Sequence, residues 1–178
     1  MIRLAPDRPG LATARLTLRS PVAADAARIA ELASDIGVAR MTTSIPCPLT
    51  VEQASSFLER MEARDPAREA IFAIDLPGEG LIGLLGFHPN DGPAPEVGYW
   101  LGRAFWGKGY ATEALKAALV WARDPWNKRF VVAGYFADNP ASGEVLIKAG
   151  FLYTGEVQWR WSMARDDEAA TRMMVWLA

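Results

Sequence analysis

The sequence predicts an α+β fold: a mixed, mostly antiparallel central sheet with helices on both faces and one parallel crossover. Two observations carry this. Three strand-like segments follow one another with no helix between them, which implies antiparallel pairing. A single strong helical segment then separates the third of them from the next strand, as a parallel crossover requires. A chain of 178 residues fits one domain, 1–178, at roughly 100–200 residues per domain.

The elements follow in order. Arg15 to Arg19 alternates, with Leu16 and Leu18 on one side, as a half-buried strand does. Ser20 reads as a helix cap with Pro21 at the first position, and Ala26, Ile29, Ala30 and Ala33 form the buried face. Thr50 and Gln53 have capping-box spacing, and Ala54, Phe57, Leu58 and Met61 follow at helical intervals. Ile71 to Leu76 and Leu81 to Phe87 flank a Pro77 to Gly80 turn and read as a hairpin. Glu96 to Leu101 is the third strand, with Gly98 marking a bulge or a close backbone approach. Tyr110 to Arg123 keeps one apolar stripe at the helical period. Arg129 to Phe136 is a strand, and Pro140 to Ala149 a short helix stopped by Gly150. Phe151 to Glu156, Gln158 to Met163 and Thr171 to Leu177 read as closing strands.

Composition narrows the function. Nineteen Lys and Arg against 21 Asp and Glu give a net charge of −2, too little field to grip nucleic acid. One Cys, Cys47, and one His, His88, cannot build the usual thiolate and imidazole metal cages, so no metal is expected. Cys47 has no base nearby in sequence and reads as a structural or loop residue. No window reaches the 18 or so apolar residues of a membrane span. The opening MIRLAPDRPG lacks the features of a signal peptide. The expected location is the cytoplasm.

The most informative stretch is Arg103 to Thr112, RAFWGKGYAT, which leaves a strand and opens a helix. Gly107 and Gly109 let a ligand approach the backbone. The first N–H groups of the next helix have no internal partner and, with the helix dipole, suit a phosphate. The alternative is a Gly-rich turn that only starts a helix. The loop fails as a Walker A motif, because Gly109 stands where Ser or Thr would bind magnesium. It fails as a dinucleotide fingerprint, because Thr112 replaces the third Gly.

The runs EVGYWLGRAFWGKGYATEALKAAL and DNPASGEVLIKAGF resemble the GNAT superfamily of acyl-CoA N-acyltransferases. The branch with the bacterial ribosomal-protein N-terminal acetyltransferases is the most similar. Ser44 to Thr50 resembles a Pro-x-Pro segment common before that branch's second helix. The resemblance implies a GNAT-like sheet whose parallel crossover forms the acyl-CoA cleft. It implies acetyl-CoA as co-substrate and an amine acceptor, either a protein N-terminus or a small molecule. Backbone N–H groups of Gly107, Lys108, Gly109, Tyr110, Ala111 and Thr112 would hold the pyrophosphate. Trp100 and Leu101 would run beside the pantetheine arm. Trp106 stands where the family's loop usually begins with Gln or Arg. Backbone groups at Gly98 and Tyr99 would polarise the thioester carbonyl.

Asn139 matches a coenzyme A contact of the family, and before Pro140 it is also an ideal helix cap. Ser142 belongs to the same family element and is a candidate coenzyme A contact; it is also the candidate proton donor to the departing thiolate, because Leu146 stands where relatives often carry a Tyr, and otherwise it bonds only backbone. Glu96 is the candidate base for the acceptor ammonium, against a plain strand-end surface residue. Tyr99 and His88 are weaker alternatives, His88 reading as a hairpin-end residue. Met41 to Leu49 and Gln158 to Glu168 would shape the acceptor side. Trp159 and Trp161 would line that pocket or sit in the sheet core. A non-catalytic acyl-CoA sensor and a homodimer stay open.

Overall fold

The computed structural model describes residues 10–178. The opening segment read for a signal peptide falls almost wholly outside them. In chain order the elements are β1 (Leu11–Ala12), β2 (Thr17–Arg19), α1 (Ala26–Ala33), α2 (Ile36–Ala39), α3 (Val51–Glu62), β3 (Ala70–Leu76), β4 (Gly80–His88), β5 (Glu96–Leu101), α4 (Tyr110–Arg123), β6 (Phe130–Phe136), α5 (Pro140–Lys148), β7 (Leu152–Ser162) and β8 (Asp167–Leu177). The strands form one sheet in the order β1-β2-β3-β4-β5-β6-β8-β7. Every pairing is antiparallel except β5 with β6. This is the α+β architecture expected, with its single parallel crossover through α4.

Each sheet face is covered by helices whose apolar residues recur at the helical period. On one face α4 contributes Ala114, Leu115, Ala118 and Leu119, and α5 contributes Leu146, against Phe72, Leu85, Val97, Ala133 and Met174. Burying Leu115 and Leu119 contributes roughly 1.5–3 kcal/mol each. On the other face α1 and α3 pack Ile29, Ala54 and Leu58 onto Ile71, Ala73 and Leu84. Thr50 accepts from the Gln53 amide and Gln53 bonds back to Thr50 N, so the capping box forms as its spacing predicts.

Three local readings change. Ser20 does not cap a helix. The chain first makes a single 3-10 turn at Ala23–Asp25 before α1. The Asp25 carboxylate, forked by Arg19 at 2.7 and 2.8 Å, takes the Val22 amide at 2.8 Å. A charged acceptor held by a guanidinium is a stronger cap than a hydroxyl. The two closing strands 151–156 and 158–163 are one strand, β7. Between the pairs Tyr153↔Met174 and Val157↔Arg172, three residues of β7 face one of β8. Gly155, at φ +83°, makes that bulge. Trp159 and Trp161 are not core: they are 68% and 51% exposed on this edge strand.

A second irregularity sits under the functional end of the sheet. The β3–β4 register shifts between Ile74 and Asp75, opposite Gly83. A Cβ on Gly83 would lie 2.1 Å from the Trp100 carbonyl oxygen of β5. β5 can hold its course towards Gly102 only because this position has no side chain. Gly83→Ala is therefore expected to destabilise the fold by about 1–3 kcal/mol or more, the usual cost of forcing atoms into a packed site. Denaturant unfolding of the variant checks this; wild-type stability would show that the close approach is not a constraint.

Candidate functional site

The site begins where the parallel pair stops pairing. β5 bonds along β4 from Glu96 to Leu101. On its other side it pairs with β6 only at Glu96↔Val132 and Val97↔Ala133. From Gly98 onward the two strands part, so β6 leaves that edge of Gly98–Leu101 unpaired. Beyond the C-terminal ends of the same two strands lie the N-termini of α4 and α5. Ligands favour the carboxyl ends of parallel strands, where helix N-termini supply unsatisfied N–H groups.

The loop into α4 has the backbone its sequence calls for. After a short 3-10 turn at Arg103–Phe105, Gly107 and Gly109 adopt φ +72° and +80°. Gly109 caps α4 in the left-handed region, and Glu113 N is the first amide to bond back to it. The amides of Gly107 to Thr112 accordingly find no backbone acceptor among the described residues. Trp106, the departure from the usual loop, donates its indole N–H to the Leu101 carbonyl at 2.8 Å and pins the loop to the end of β5. Lys108 folds its ammonium onto the Ala104 carbonyl at 3.0 Å.

Arg15, on the polar side of the 15–19 segment, braces this loop. Its Nη1 donates to the Lys108 carbonyl at 2.9 Å, its Nε pairs with Glu113 at 2.7 Å, and its guanidinium lies 4.6 Å from the Tyr110 ring centroid. Burial pushes the Glu113 carboxyl up, but hydrogen bonds from Thr13 and Arg15 outweigh it and hold the group below the usual carboxylate range. The acidic residue in the first turn of α4 is thus matched by a cation, and the helix start stays fit for an anion.

Across the split, Asn139 caps α5: its Oδ1 accepts from Ser142 N at 3.3 Å, with Pro140 in the first turn. The Ser142 hydroxyl lies 3.0 Å from the Tyr99 hydroxyl, which also donates to the Ser142 carbonyl at 3.1 Å. Tyr99 comes from β5, so one hydrogen-bonded pair ties that strand to the start of α5. Burial pushes the Tyr99 phenol well above the ordinary tyrosine range, despite its bond to Ser142. It is a neutral hydroxyl at any physiological pH. Leu146, where relatives often carry Tyr, is 1% exposed and belongs to the core. The phenol reaches the start of α5 from the strand instead.

Glu96 is no surface residue. It is 7% exposed, and both its carboxylate oxygens meet the guanidinium of Arg160 on β7. His88 stands directly opposite Glu96 in the β4–β5 register. Desolvation lowers the His88 pKa, against the pull of Glu96, so the ring is neutral at neutral pH.

The two segments expected on the acceptor side do meet. Ser162 donates to the Thr42 carbonyl at 2.8 Å, and Met163 N bonds Thr43 O at 3.0 Å. Arg165 bonds the Arg40 carbonyl at 2.6 Å and forks onto Asp138, next to Asn139. That fork is the main reason the Asp138 carboxyl sits below its ordinary range. Cys47 is exposed, with its thiol 3.3 Å from the Ser34 carbonyl.

Known proteins are similar to this chain in sequence and in fold. A family model described as an acetyltransferase (GNAT) domain matches residues 15–152. The ribosomal-protein-serine acetyltransferase of Escherichia coli (strain K12) is 33% identical over 78 residues, which are 42% of this chain and 43% of that enzyme. The chain thus spans less than half the length of that relative. YoaA, an uncharacterized N-acetyltransferase of Bacillus subtilis (strain 168), is 29% identical over 151 residues, 83% of this chain and 85% of that one. The solved structure of the microcin C7 self-immunity acetyltransferase MccE, in complex with acetyl-CoA and AMP, superposes with a TM-score of 0.79 at 19% identity, covering 93% of each chain. With the family model spanning most of its length, the chain belongs to the GNAT family of acetyl-CoA-dependent N-acetyltransferases.

Proposed function

We propose that this protein binds acetyl-CoA in the split between β5 and β6 and transfers the acetyl group directly to a primary amine, on a protein N-terminus or a small molecule, in the cytoplasm. The observation that carries the reading is the combination of parted parallel strands with a positive-φ glycine loop at the α4 start. The acetyl-CoA held by MccE, which has the same fold, supports the same donor here.

In this reading the amides of Gly107, Lys108, Gly109, Tyr110, Ala111 and Thr112 receive the pyrophosphate. The open edge of β5 at Trp100 and Leu101 runs beside the pantetheine arm. Asn139, whose Oδ1 is committed to the α5 cap, offers its amide N–H to the coenzyme. Backbone groups at Gly98 and Tyr99 polarise the thioester carbonyl. Glu96, directly or through water, accepts the proton of the acceptor ammonium. The freed amine attacks the carbonyl carbon and a C–N bond forms. The C–S bond then breaks, the thiolate takes a proton from Ser142, and the surplus proton on the adduct nitrogen passes through water to restore the Ser142 hydroxyl. Tyr99, hydrogen-bonded to Ser142 and itself un-ionised, supports that donation. Holding both reactants in one cleft supplies much of the acceleration.

Three measurements test this. Gly109→Val puts a β-branched side chain where φ is +80° and where a Cβ already comes within 3.4 Å of Arg15 Nη2. It is expected to weaken coenzyme A binding at least about tenfold, against a smaller effect for Lys108→Ala, whose ammonium is tied to Ala104. Equal calorimetric affinity in Gly109→Val and wild type would remove the loop from the site.

Glu96→Gln is expected to lower turnover by roughly 10²–10⁴-fold, the weight of general base catalysis, with coenzyme A affinity little changed. Thiol release against a panel of amines reads this; wild-type turnover would take Glu96 out of the mechanism.

Ser142→Ala should slow saturating turnover without abolishing it, and the loss should shrink as pH rises from 6 to 9. A thiol has a reference pKa of about 8.5, so a free thiolate becomes a tolerable product there. A mutant-to-wild-type ratio near one across that range would reduce Ser142 to a partner of backbone and Tyr99.

A further inference from the structure

Arg160 lies on the edge strand β7, yet its guanidinium ends on Glu96 at the start of β5. The sheet order places β8 and β6 between them. Two small residues clear the way. Ala169 stands opposite Arg160 on β8. On β6 the path crosses Gly134, where a Cβ would lie 3.3 Å from Arg160 Nη1. The side chain is also aimed from behind. Gln158, two residues earlier and so on the same face, accepts from Arg160 Nε at 3.0 Å and from Nη2 at 2.8 Å. Gln158 is in turn fixed by donating to Glu156 at 2.6 Å. The guanidinium then spends one N–H on each oxygen of Glu96, Nη2 meeting Oε2 at 3.1 Å. The Glu96 side chain is 9% exposed and that of Arg160 24%.

A glutamate at a strand end can rotate its carboxylate freely. A planar fork on both oxygens fixes its plane and its direction. A carboxylate has about four acceptor sites, and the fork uses two, so Glu96 keeps lone pairs for a proton while losing its freedom to turn. Glu96 is also the last point but one at which β5 still pairs with β6, two residues before Gly98, where the split opens. We infer that Arg160 is a positioning residue for the transfer reaction: from β7, aimed by Gln158 across the gap at Gly134, it holds the Glu96 carboxylate at the closed end of the split, where the parting begins. The inference rests on Glu96 being the proton acceptor.

A double-mutant cycle tests it, read by thiol release for kcat and acceptor KM and by calorimetry for coenzyme A affinity. Arg160→Met removes the fork while keeping the length of the side chain. It should lower kcat by about 10²-fold, the cost of a misplaced group near the chemistry, with coenzyme A affinity within twofold of wild type. Arg160→Lys, one charge without a fork, should recover part of the loss and keeps the test alive if the methionine variant does not fold. In a Glu96→Gln background neither substitution should lower kcat more than twofold further, because the group being positioned is already gone. Wild-type kcat in Arg160→Met, or losses that multiply in the double variant, would overturn the positioning role. Wild-type kcat in Glu96→Gln alone would instead remove Glu96 as base and the inference with it, so the two failures are distinguishable.

Discussion

The parallel pairing of β5 and β6 ends after two residue pairs, and the functional end of the molecule depends on that break. A sheet that continued would bond the inner edge of β5 to β6 and leave no slot between the strands. The break is maintained from both flanks. On the β4 side, Gly83 lets β5 run close enough for its Trp100 carbonyl to occupy the space of a missing side chain. On the far side, Gly143 in α5 faces the Tyr135 ring of β6, where a Cβ would approach to 2.8 Å. That close approach keeps the start of α5 low over β6, within reach of Tyr99. Two side chains of β5 also reach elements beyond β6, Tyr99 meeting Ser142 of α5 and Glu96 meeting Arg160 of β7.

Charge follows the same plan. The helix start that would hold an anion carries an acidic residue, Glu113, in its first turn, and Arg15 matches it. The buried carboxylate at the closed end of the split is matched by Arg160. Asp138, beside the α5 cap, is shared by Arg40 and Arg165. These three carboxylates are thus each matched locally by arginine, so an acetyl-CoA pyrophosphate would meet oriented amides beside charges already paired. Partly exposed pairs of this kind contribute little stability singly; here they fix direction and local potential.

What was legible in the sequence was local. The α4 stripe, the glycine loop, the Thr50 capping box and the Asn139–Pro140 start all rest on residues within a few positions of one another, and all appear as read. The side-chain pairs that organise the site join distant positions. Tyr99 and Ser142 are 43 residues apart, Glu96 and Arg160 are 64, and Arg15 and Glu113 are 98. No periodicity records such pairs. Ser20 was misread for the same reason: the competing cap, Asp25, gains its strength from Arg19 and from the β2–β3 pairing that seats Arg19 beside Asp75. The core alternative for Trp159 and Trp161 fails because alternation shows that a strand has two faces, while only sheet order shows that β7 is an edge.

Amide hydrogen exchange with and without acetyl-CoA tests the account of the cleft most directly. The amides of Gly107 to Thr112 lack backbone acceptors among the described residues, and β6 leaves one edge of β5 unpaired beyond Val97. The account predicts that acetyl-CoA slows exchange in Gly107–Thr112 and Gly98–Leu101 first and most, with α3 and the β2–β3 pairing unchanged. Saturating acetyl-CoA that protects neither segment, or that protects a surface away from the split, would contradict it.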